Sequence, residues 1–325
     1  MKAIVLNKYG SPDYLEFKEV EKPSPKEDEV LIKVLATSIN SWDLDLLKGI
    51  PFANRTMFGL FKPRNLIMGC DVAGRVEEIG SNVKALKIGD EILGDISGCG
   101  MGGYAEYVCA KENVLALKPE GISFNEAAAI PHTGVLALQG LRDEGHMQKD
   151  HKVLINGAGG GSGSFAVQLA KSIGAEVTCV DTSRKFDMLR SIGADHFIDY
   201  DNEDFMKTGH TYDLILDVIT YRSIFQYKRI LNTSGTYVML GGGNYNRVFQ
   251  CMALGPLISM ANKDGKKMGL LMHKPKVEDI NYLLDLITAG KIKPVIEKVY
   301  SLEEVPEAIR YFGQGLTKGK LVITT

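Results

Sequence analysis

A glycine-dense turn between a strand pattern and a helix pattern carries the clearest chemical signal in this sequence. The apolar run Val153–Asn156 predicts a buried strand, and Ser162–Ile173 repeats its apolar residues at helical spacing. Glycines let the backbone approach a pyrophosphate, and the N-terminus of the following helix offers unpaired N–H groups to the phosphates. Glycines also serve plain tight turns, but the flanking strand and helix favour a dinucleotide site. We expect this site to include Gly157, Ala158, Gly159, Gly160, Gly161, Ser162 and Gly163.

The end of the next predicted strand carries two signals that conflict. Asp181 follows the turn at about the distance where an acidic residue binds the ribose 2′-hydroxyl of NAD. Ser183, Arg184 and Lys185 instead offer a hydroxyl and two cations, which are the groups that hold a 2′-phosphate. Alternatively, Asp181 caps the following helix and the cations are merely solvated. The segment favours NADPH and leaves NADH open because of Asp181.

Two further strand ends are expected at the same edge of the predicted sheet. Asp217 and Val218 end one strand, and Gly241, Gly242 and Gly243 end the next. In open parallel sheets, ligands bind outside the carboxyl ends of the strands. A glycine run at that edge allows a nicotinamide ring to approach, although a plain turn would use the same residues.

The elements that must position these groups fall into two parts. Up to about residue 118 the sequence shows short strand patterns separated by turn residues, which is typical of a barrel or a sandwich. From Ser123, which forms a capping-box pattern with Glu126, strands alternate with helices, and this alternation predicts a doubly wound parallel sheet. We therefore expect an α/β protein with a β-rich domain at 1–122 and 275–325 and a parallel-sheet domain at 123–274.

The composition narrows the class of protein. Of the 325 residues, 45% are apolar and 24% are charged, and the formal net charge is −2. A chain this apolar folds, and its near-neutral charge gives no footprint for nucleic acid or for an anionic membrane surface. No apolar run is long enough for a membrane span. The five cysteines include no CxxC pair and the start shows no signal-peptide pattern, so a cytoplasmic protein with reduced thiols is expected.

Short motifs along almost the whole chain form one set that can be compared with known families. They are Asn40-Ser41-Trp42-Asp43, Met68–Gly74, Gly89–Ile92, Gly103–Tyr107, Ala127–Pro131, Val153–Gly163, Gly193–Asp195 and Gly241–Gly243. This set resembles the medium-chain dehydrogenase/reductase superfamily, and specifically its zinc-free, quinone oxidoreductase-like branch. The resemblance implies a GroES-like barrel domain, a Rossmann domain, an active site in the cleft between them, and hydride transfer from a nicotinamide cofactor, usually NADPH.

The resemblance also bears on zinc. Zinc-dependent members carry a Cys, a His-Glu pair and a second Cys at the catalytic metal, and by motif matching these positions hold Asn40, Cys70-Asp71 and His132 here. The four-cysteine structural lobe is missing, since only two cysteines occur in that region. We therefore expect no zinc. A permuted site that uses Cys70 and His132 stays open, because thiolate and imidazole both bind zinc.

By the same resemblance, Asn40, Asp43 and His132 are the candidate catalytic residues, because the loop with Asn40 and Asp43 faces the nicotinamide in the family. An Asx turn and a structural histidine are their alternative roles. Without zinc, alcohol oxidation is disfavoured, whereas quinones and enones accept hydride with the charge delocalised. We expect an NAD(P)H-dependent oxidoreductase that transfers hydride to a quinone or an α,β-unsaturated carbonyl. A zinc alcohol dehydrogenase with altered ligands, or a non-catalytic NADPH-binding sensor or interaction protein, are the alternatives.

Two apolar segments, Ile50–Leu66 and Asn244–Met260, are expected to line the substrate pocket. Their composition suits a small hydrophobic carbonyl or quinone substrate. The same segments suit a contact in a homodimer, or a lid. Lys320 is a weaker candidate for a phosphate contact.

Overall fold

The computed structural model describes residues 1–64, 66–261 and 263–325, so Asn65, within the predicted pocket-lining segment, lies outside the described residues. The strands are β1 (Lys2–Leu6), β2 (Leu15–Glu19), β3 (Glu29–Ser38), β4 (Leu66–Ile67), β5 (Asp71–Ile79), β6 (Glu91–Asp95), β7 (Tyr107–Lys111), β8 (Leu115–Leu117), β9 (Lys152–Asn156), β10 (Glu176–Asp181), β11 (His196–Asp199), β12 (Tyr212–Asp217), β13 (Leu231–Met239), β14 (Lys267–Leu270), β15 (Ile296–Ser301) and β16 (Lys320–Thr324). The α-helices are α1 (Ser41–Lys48), α2 (Phe52–Phe58), α3 (Phe124–Ala128), α4 (Pro131–Gln139), α5 (Gly161–Ile173), α6 (Phe186–Ser191), α7 (Ile224–Arg229), α8 (Tyr245–Ala261), α9 (Val277–Thr288) and α10 (Val305–Phe312).

The described residues divide into two compact units. Unit 1 comprises Met1–Thr133, Pro275–Thr288 and Pro294–Thr325, and unit 2 comprises Gly134–Lys274 and Ala289–Lys293. The sequence analysis puts the first boundary at residue 123. In the structure α3 groups with unit 1, because it packs on β3 and β5 of that unit.

Strands of mainly antiparallel pairing form the framework of unit 1. One sheet has the order β2-β1-β4, and a larger one has the order β15-β16-β3-β5-β6-β8, with β7 also paired to β3. The long strand β3 is buried along most of its length, and it pairs with β5, β7 and β16. This β-rich part, interrupted by turns, agrees with the sequence patterns.

Unit 2 contains the parallel sheet. Its strand order is β11-β10-β9-β12-β13-β14, and Val153 of β9 pairs with Val177 of β10 on one side and with Leu214 of β12 on the other. β9, whose last four residues are buried, is one of the two central strands. The chain leaves β9 in one direction and later returns to its other side, so the strand order reverses between β9 and β12. Dinucleotides bind at this kind of reversal in doubly wound folds, and the predicted fold is confirmed.

The sequence analysis does not predict five of the described helices, which are α1, α2, α7, α8 and α10. The longest is α8, which carries Pro256 in its interior and has exposed apolar side chains at Phe249, Leu257 and Met260. A helix without a separate polar face shows no amphipathic stripe, and proline argues against a helix interior, so local patterns hide it. None of the described helices combines the length and the apolarity needed to cross a membrane.

Each unit has its own apolar core. In unit 1, Leu46 and Leu47 of α1 pack with Leu321 and Ile323 of β16. In unit 2, a cluster on one face of the parallel sheet includes Tyr237 of β13. These cores hold the strand ends and helix starts from which the polar side chains described below project.

Candidate active site

In unit 2 the glycine turn joins β9 to α5. β9 ends at Asn156, and α5 begins at Gly161. The Gly157 N–H donates to the Val180 carbonyl oxygen at 2.9 Å, which ties the turn to β10. A Cβ at Gly163 would lie 2.2 Å from the Gly157 carbonyl oxygen, so only glycine lets α5 pack this closely against the turn. The first N–H groups of a helix have no partner within it, so this turn fits the pyrophosphate of a dinucleotide.

The candidate ribose and phosphate ligands after β10 differ in accessibility. Ser183 and Arg184 are exposed, whereas Asp181 and Lys185 are buried. The Lys185 Nζ lies 3.2 Å from the Asp181 Oδ1, and the Gly159 N–H donates to the Asp181 Oδ2 at 2.7 Å. Within the described part of the chain, Arg184 forms no ion pair. Arg184 is therefore the accessible cation of this segment.

Asp217, at the end of β12, is fully buried and acts as a junction for hydrogen bonds. It accepts from Asn156 Nδ2 at 2.7 Å, from the Tyr237 hydroxyl at 2.7 Å and from the Thr220 hydroxyl at 2.9 Å. Burial raises the pKa of Asp217, and these donors oppose the rise without cancelling it. The Asn156 carbonyl oxygen accepts from the Val218 N–H at 2.9 Å. Asp217 therefore holds the ends of β9, β12 and β13 together from the interior.

The glycine run after β13 is fixed to the end of β12. The Leu240 N–H donates to the Asp217 carbonyl oxygen, and the Asn244 N–H donates to the Thr220 carbonyl oxygen, both at 2.9 Å. Gly241–Gly243 thus lie beside Val218 at the carboxyl edge of the sheet, where the sequence analysis expects both strand ends.

In unit 1, Asn40 and Asp43 form the start of α1. The Asn40 N–H donates to the Asp43 Oδ2 at 2.8 Å, and the Gly69 N–H donates to the Asp43 Oδ1 at 3.1 Å. Burial raises the pKa of Asp43 to about 6, although both backbone N–H groups lower it. Both carboxylate oxygens are engaged, so Asp43 caps α1 and anchors the loop before Cys70.

The side chain of Asn40 lies in a buried polar cluster, here called the Asn40 cluster, with Cys70, Asp71 and Lys320. The Asn40 Nδ2 donates to the Asp71 Oδ2 at 2.9 Å and lies 3.2 Å from the Cys70 Sγ. The Lys320 Nζ donates to the Asn40 Oδ1 at 2.6 Å and lies 3.6 Å from the Asp71 Oδ2. Lys320 is only 2% exposed. It neutralises Asp71 and orients the Asn40 amide. The sequence analysis considers Lys320 for a phosphate contact, but its buried position does not favour that role.

His132, beside the Asn40 cluster, is paired with Asp95. Its Nδ1 lies 2.8 Å from the Asp95 Oδ2, and its backbone N–H donates to the Asp71 Oδ1 at 2.8 Å. The Trp42 ring stacks near the imidazole, with ring centroids 6.2 Å apart. Burial lowers the pKa of His132, but the charge of Asp95, the hydrogen bond to Asp95 and the charge of Asp71 together outweigh burial, so the pKa is raised. The raised pKa favours the protonated form of the imidazole.

Asp95, which the sequence analysis missed, completes a group that could bind a metal. Ligand atoms of Cys70, Asp95 and His132 lie within 4.8 Å of one another. Thiolate, carboxylate and imidazole are all zinc ligands, and three protein ligands suit a catalytic zinc, so these residues fit the metal by type and distance. Burial, then the charges of Asp71 and Asp95, raise the pKa of the Cys70 thiol well above its ordinary value. No motif marks Asp95 in the sequence, since only the fold brings the end of β6 to His132.

Two family models match the chain. The one described as alcohol dehydrogenase GroES-like domain matches residues 26–120, and the one described as zinc-binding dehydrogenase matches residues 192–323. A chloroplast envelope quinone oxidoreductase homolog of Arabidopsis thaliana is 31% identical, over 99% of this chain and 98% of its own. This chain belongs to the quinone oxidoreductase-like branch of the medium-chain dehydrogenase/reductase superfamily.

Other members of the superfamily are similar over the whole chain. A chloroplastic NADPH-dependent alkenal/one oxidoreductase of Arabidopsis thaliana is 32% identical over 99% of this chain and 79% of its own. The solved quinone oxidoreductase of Coxiella burnetii is 29% identical, with a TM-score of 0.90 over 100% of this chain and 99% of its own. The predicted superfamily, with its GroES-like and Rossmann parts, is thus confirmed. The absence of zinc and the cytoplasmic location stay predictions.

Proposed function

We propose that this protein is an NADPH-dependent reductase that transfers hydride to a quinone or an α,β-unsaturated carbonyl compound without zinc. The observation that carries the proposal is the buried pair of His132 and Asp95, 2.8 Å apart, in a chain that also has the glycine turn. The names of the relatives support it, since they are a quinone oxidoreductase homolog and an NADPH-dependent alkenal/one oxidoreductase.

A bound nicotinamide coenzyme supplies the hydride. The N–H groups at the start of α5 would hold its pyrophosphate, and Asp217 ties together the ends of β9, β12 and β13 at the carboxyl edge of the sheet. His132, whose side chain keeps 8% exposure, donates a proton to the acceptor oxygen as negative charge develops there. Asp95 stabilises the protonated imidazole until that transfer.

Asn40 and Asp43 act as positioning residues in this mechanism. The Asn40 amide is used by Asp71, Cys70 and Lys320, and both oxygens of Asp43 accept backbone N–H groups. Neither side chain has the capacity left to bind a substrate oxygen as well.

A reaction without zinc is supported by the charge already present in the Asn40 cluster. The Lys320 ammonium neutralises Asp71, and the Asn40 Nδ2 is directed at the Cys70 Sγ, where a ligand bond would form. A second candidate is a zinc alcohol dehydrogenase that uses Cys70, Asp95 and His132, and their 4.8 Å grouping favours it. Metal analysis of the purified protein separates the two. We expect less than stoichiometric zinc and full activity in a chelator, and one essential zinc per chain would establish the second candidate.

NADPH as the coenzyme is supported by the exposed Arg184, which offers a cation to a 2′-phosphate. A hydrophobic acceptor is supported by the exposed apolar side chains Phe52 and Met57 of α2 and Phe249 of α8. The same side chains suit the homodimer contact predicted from the sequence. All five cysteines are free thiols, and this supports the cytoplasmic location predicted from the sequence.

The test is an assay of two reactions side by side. We expect oxidation of NADPH with quinones or enones, and little reduction of NADP⁺ with primary or secondary alcohols. Robust alcohol oxidation without added metal, with no turnover of any conjugated acceptor, would contradict the proposed chemistry.

A further inference from the structure

The ion pair of Asp181 and Lys185 lies beneath the glycine turn. Asp181 is 2% exposed and Lys185 is 4% exposed. The Asp181 Oδ1 accepts from the Thr182 N–H at 2.9 Å and lies 3.2 Å from the Lys185 Nζ, while its Oδ2 accepts from the Gly159 N–H at 2.7 Å. Both carboxylate oxygens are therefore engaged within the protein.

The Lys185 stem also contacts the turn. A Cβ at Gly159 would lie 2.4 Å from the Lys185 Cδ and 3.0 Å from the Asp181 Oδ2. The glycine at this position therefore leaves just the room that the two side chains fill. Buried charges are tolerated when they are paired and hydrogen-bonded, and this pair meets both conditions.

Two ligand roles expected of these residue types do not suit this geometry. An acid that reads a ribose hydroxyl needs an oxygen open to the ligand, and a lysine that grips a 2′-phosphate needs an accessible ammonium. Here the acid and the base satisfy each other. Arg184, between them in sequence, stays exposed and forms no ion pair within the described residues.

We propose that Asp181 and Lys185 form an internal clamp that positions the glycine turn, and that their mutual neutralisation limits the preference for NADPH over NADH. This inference rests on the proposed coenzyme site. Asp181 is thus a positioning residue that also determines specificity, since it cancels the cation that would otherwise attract the 2′-phosphate. The discrimination that remains comes from Arg184.

The experiment measures the binding of 2′,5′-ADP and of 5′-AMP by titration calorimetry and follows the ratio of the two affinities. Asp181→Asn removes the negative charge and leaves Lys185 uncompensated, so the ratio in favour of 2′,5′-ADP should rise about threefold to fivefold, as expected for one unit charge several ångströms from the phosphate. The double variant Asp181→Asn/Lys185→Met is neutral again, and its ratio should return to within about twofold of the wild-type value.

A matched control is Asp195→Asn, which removes the acid of another Asp–Lys pair in unit 2, where the Lys171 Nζ lies 2.7 Å from the Asp195 Oδ2. Its ratio should equal that of the wild type. The single variant loses an acceptor for a backbone N–H and will melt at a lower temperature, so binding is measured below its transition. Should it not fold, the neutral double variant still tests whether Lys185 grips the phosphate.

Three outcomes would overturn the inference. If 5′-AMP binding alone weakens several-fold in Asp181→Asn, Asp181 reads the ribose. If the double variant loses most of the wild-type preference for 2′,5′-ADP, Lys185 grips the phosphate in the native protein. If the wild type binds neither nucleotide, the proposed coenzyme site itself is wrong, and this result differs from the other two because it does not depend on any variant.

Discussion

A buried ion pair in unit 1 joins residues that are far apart in the chain, whereas a buried ion pair in unit 2 joins near neighbours. In the Asn40 cluster, Lys320 of the last strand meets Asp71, 3.6 Å away and some 250 positions earlier in the chain. In unit 2, Lys185 pairs with Asp181, four positions away. A local pair can form as soon as its turn does, whereas the pair in unit 1 exists only when β16 has joined β3. We therefore expect substitutions in the Asn40 cluster to change mainly the stability of unit 1. Substitutions at the pair of Asp181 and Lys185 should change mainly the coenzyme selectivity of unit 2.

The largest effect is expected from breaking the long-range pair. Lys320→Met leaves Asp71 buried without its cation, and the loss of one partner of a buried pair costs about 3–5 kcal/mol. The free energy of unfolding, measured with urea, checks this. The control is Lys298→Met, since Lys298 of β15 is half exposed and 3.9 Å from Glu307. A loss at Lys320 no larger than in this control would show that the cluster does not stabilise unit 1.

Gly163→Ala tests the packing of the glycine turn in unit 2. The new methyl group would meet the Gly157 carbonyl oxygen at 2.2 Å, and overpacking of this kind costs about 3 kcal/mol at its upper range. NADPH binding should be lost together with this stability. Gly160→Ala is the matched control, because its Cβ would lie 3.7 Å from the same oxygen and Gly160 has a φ of −85°. Equal melting temperatures of the two variants would contradict the close packing of α5 on the turn.

The chemistry assigned to unit 1 is tested by His132→Gln. Loss of a general acid should lower kcat/KM for a quinone or enone about 100-fold. The pKa of His132 is raised above its ordinary 6.5, so the proton is present below that value and is lost as pH rises through the raised pKa. The wild-type rate should therefore fall on the alkaline side, and the variant should lack this fall.

Asp95→Asn sharpens the same test. Because the charge of Asp95 raises the pKa of His132, its removal should move the alkaline fall to lower pH. His196→Gln serves as the control, since His196 forms an exposed pair with Glu176 in unit 2 and should leave the profile unchanged. If the rate of His132→Gln still falls on the alkaline side as in the wild type, His132 is not the proton donor.

The smallest effect is expected at the surface of unit 2. Arg184→Ala should raise KM for NADPH about fivefold and leave KM for NADH within about twofold, as suits one exposed cation near a phosphate. The control is Arg190→Ala. Arg190 is also exposed but lies on α6, and its substitution should change neither KM value. A similar change for both coenzymes would mean that Arg184 does not contact the 2′-phosphate.

The sequence by itself determined the local features of this protein. The glycine turn, the alternation of strands and helices after Ser123 and the capping box of Ser123 with Glu126 depend on residues within a few positions of one another. Backbone sterics and hydrogen-bond needs at that range are written in the residue types. For the same reason the doubly wound sheet and the dinucleotide turn could be predicted.

Only the tertiary structure decided which polar groups meet and which face the solvent. Arg184 and Lys185 are adjacent cations in the sequence, yet one is exposed and the other is buried on Asp181. Asp95 carries no motif, and β6 brings it to His132 across 37 positions. Pairing between distant segments depends on sheet register and on the free energy of burying charge, and neither is encoded in a short stretch of residues.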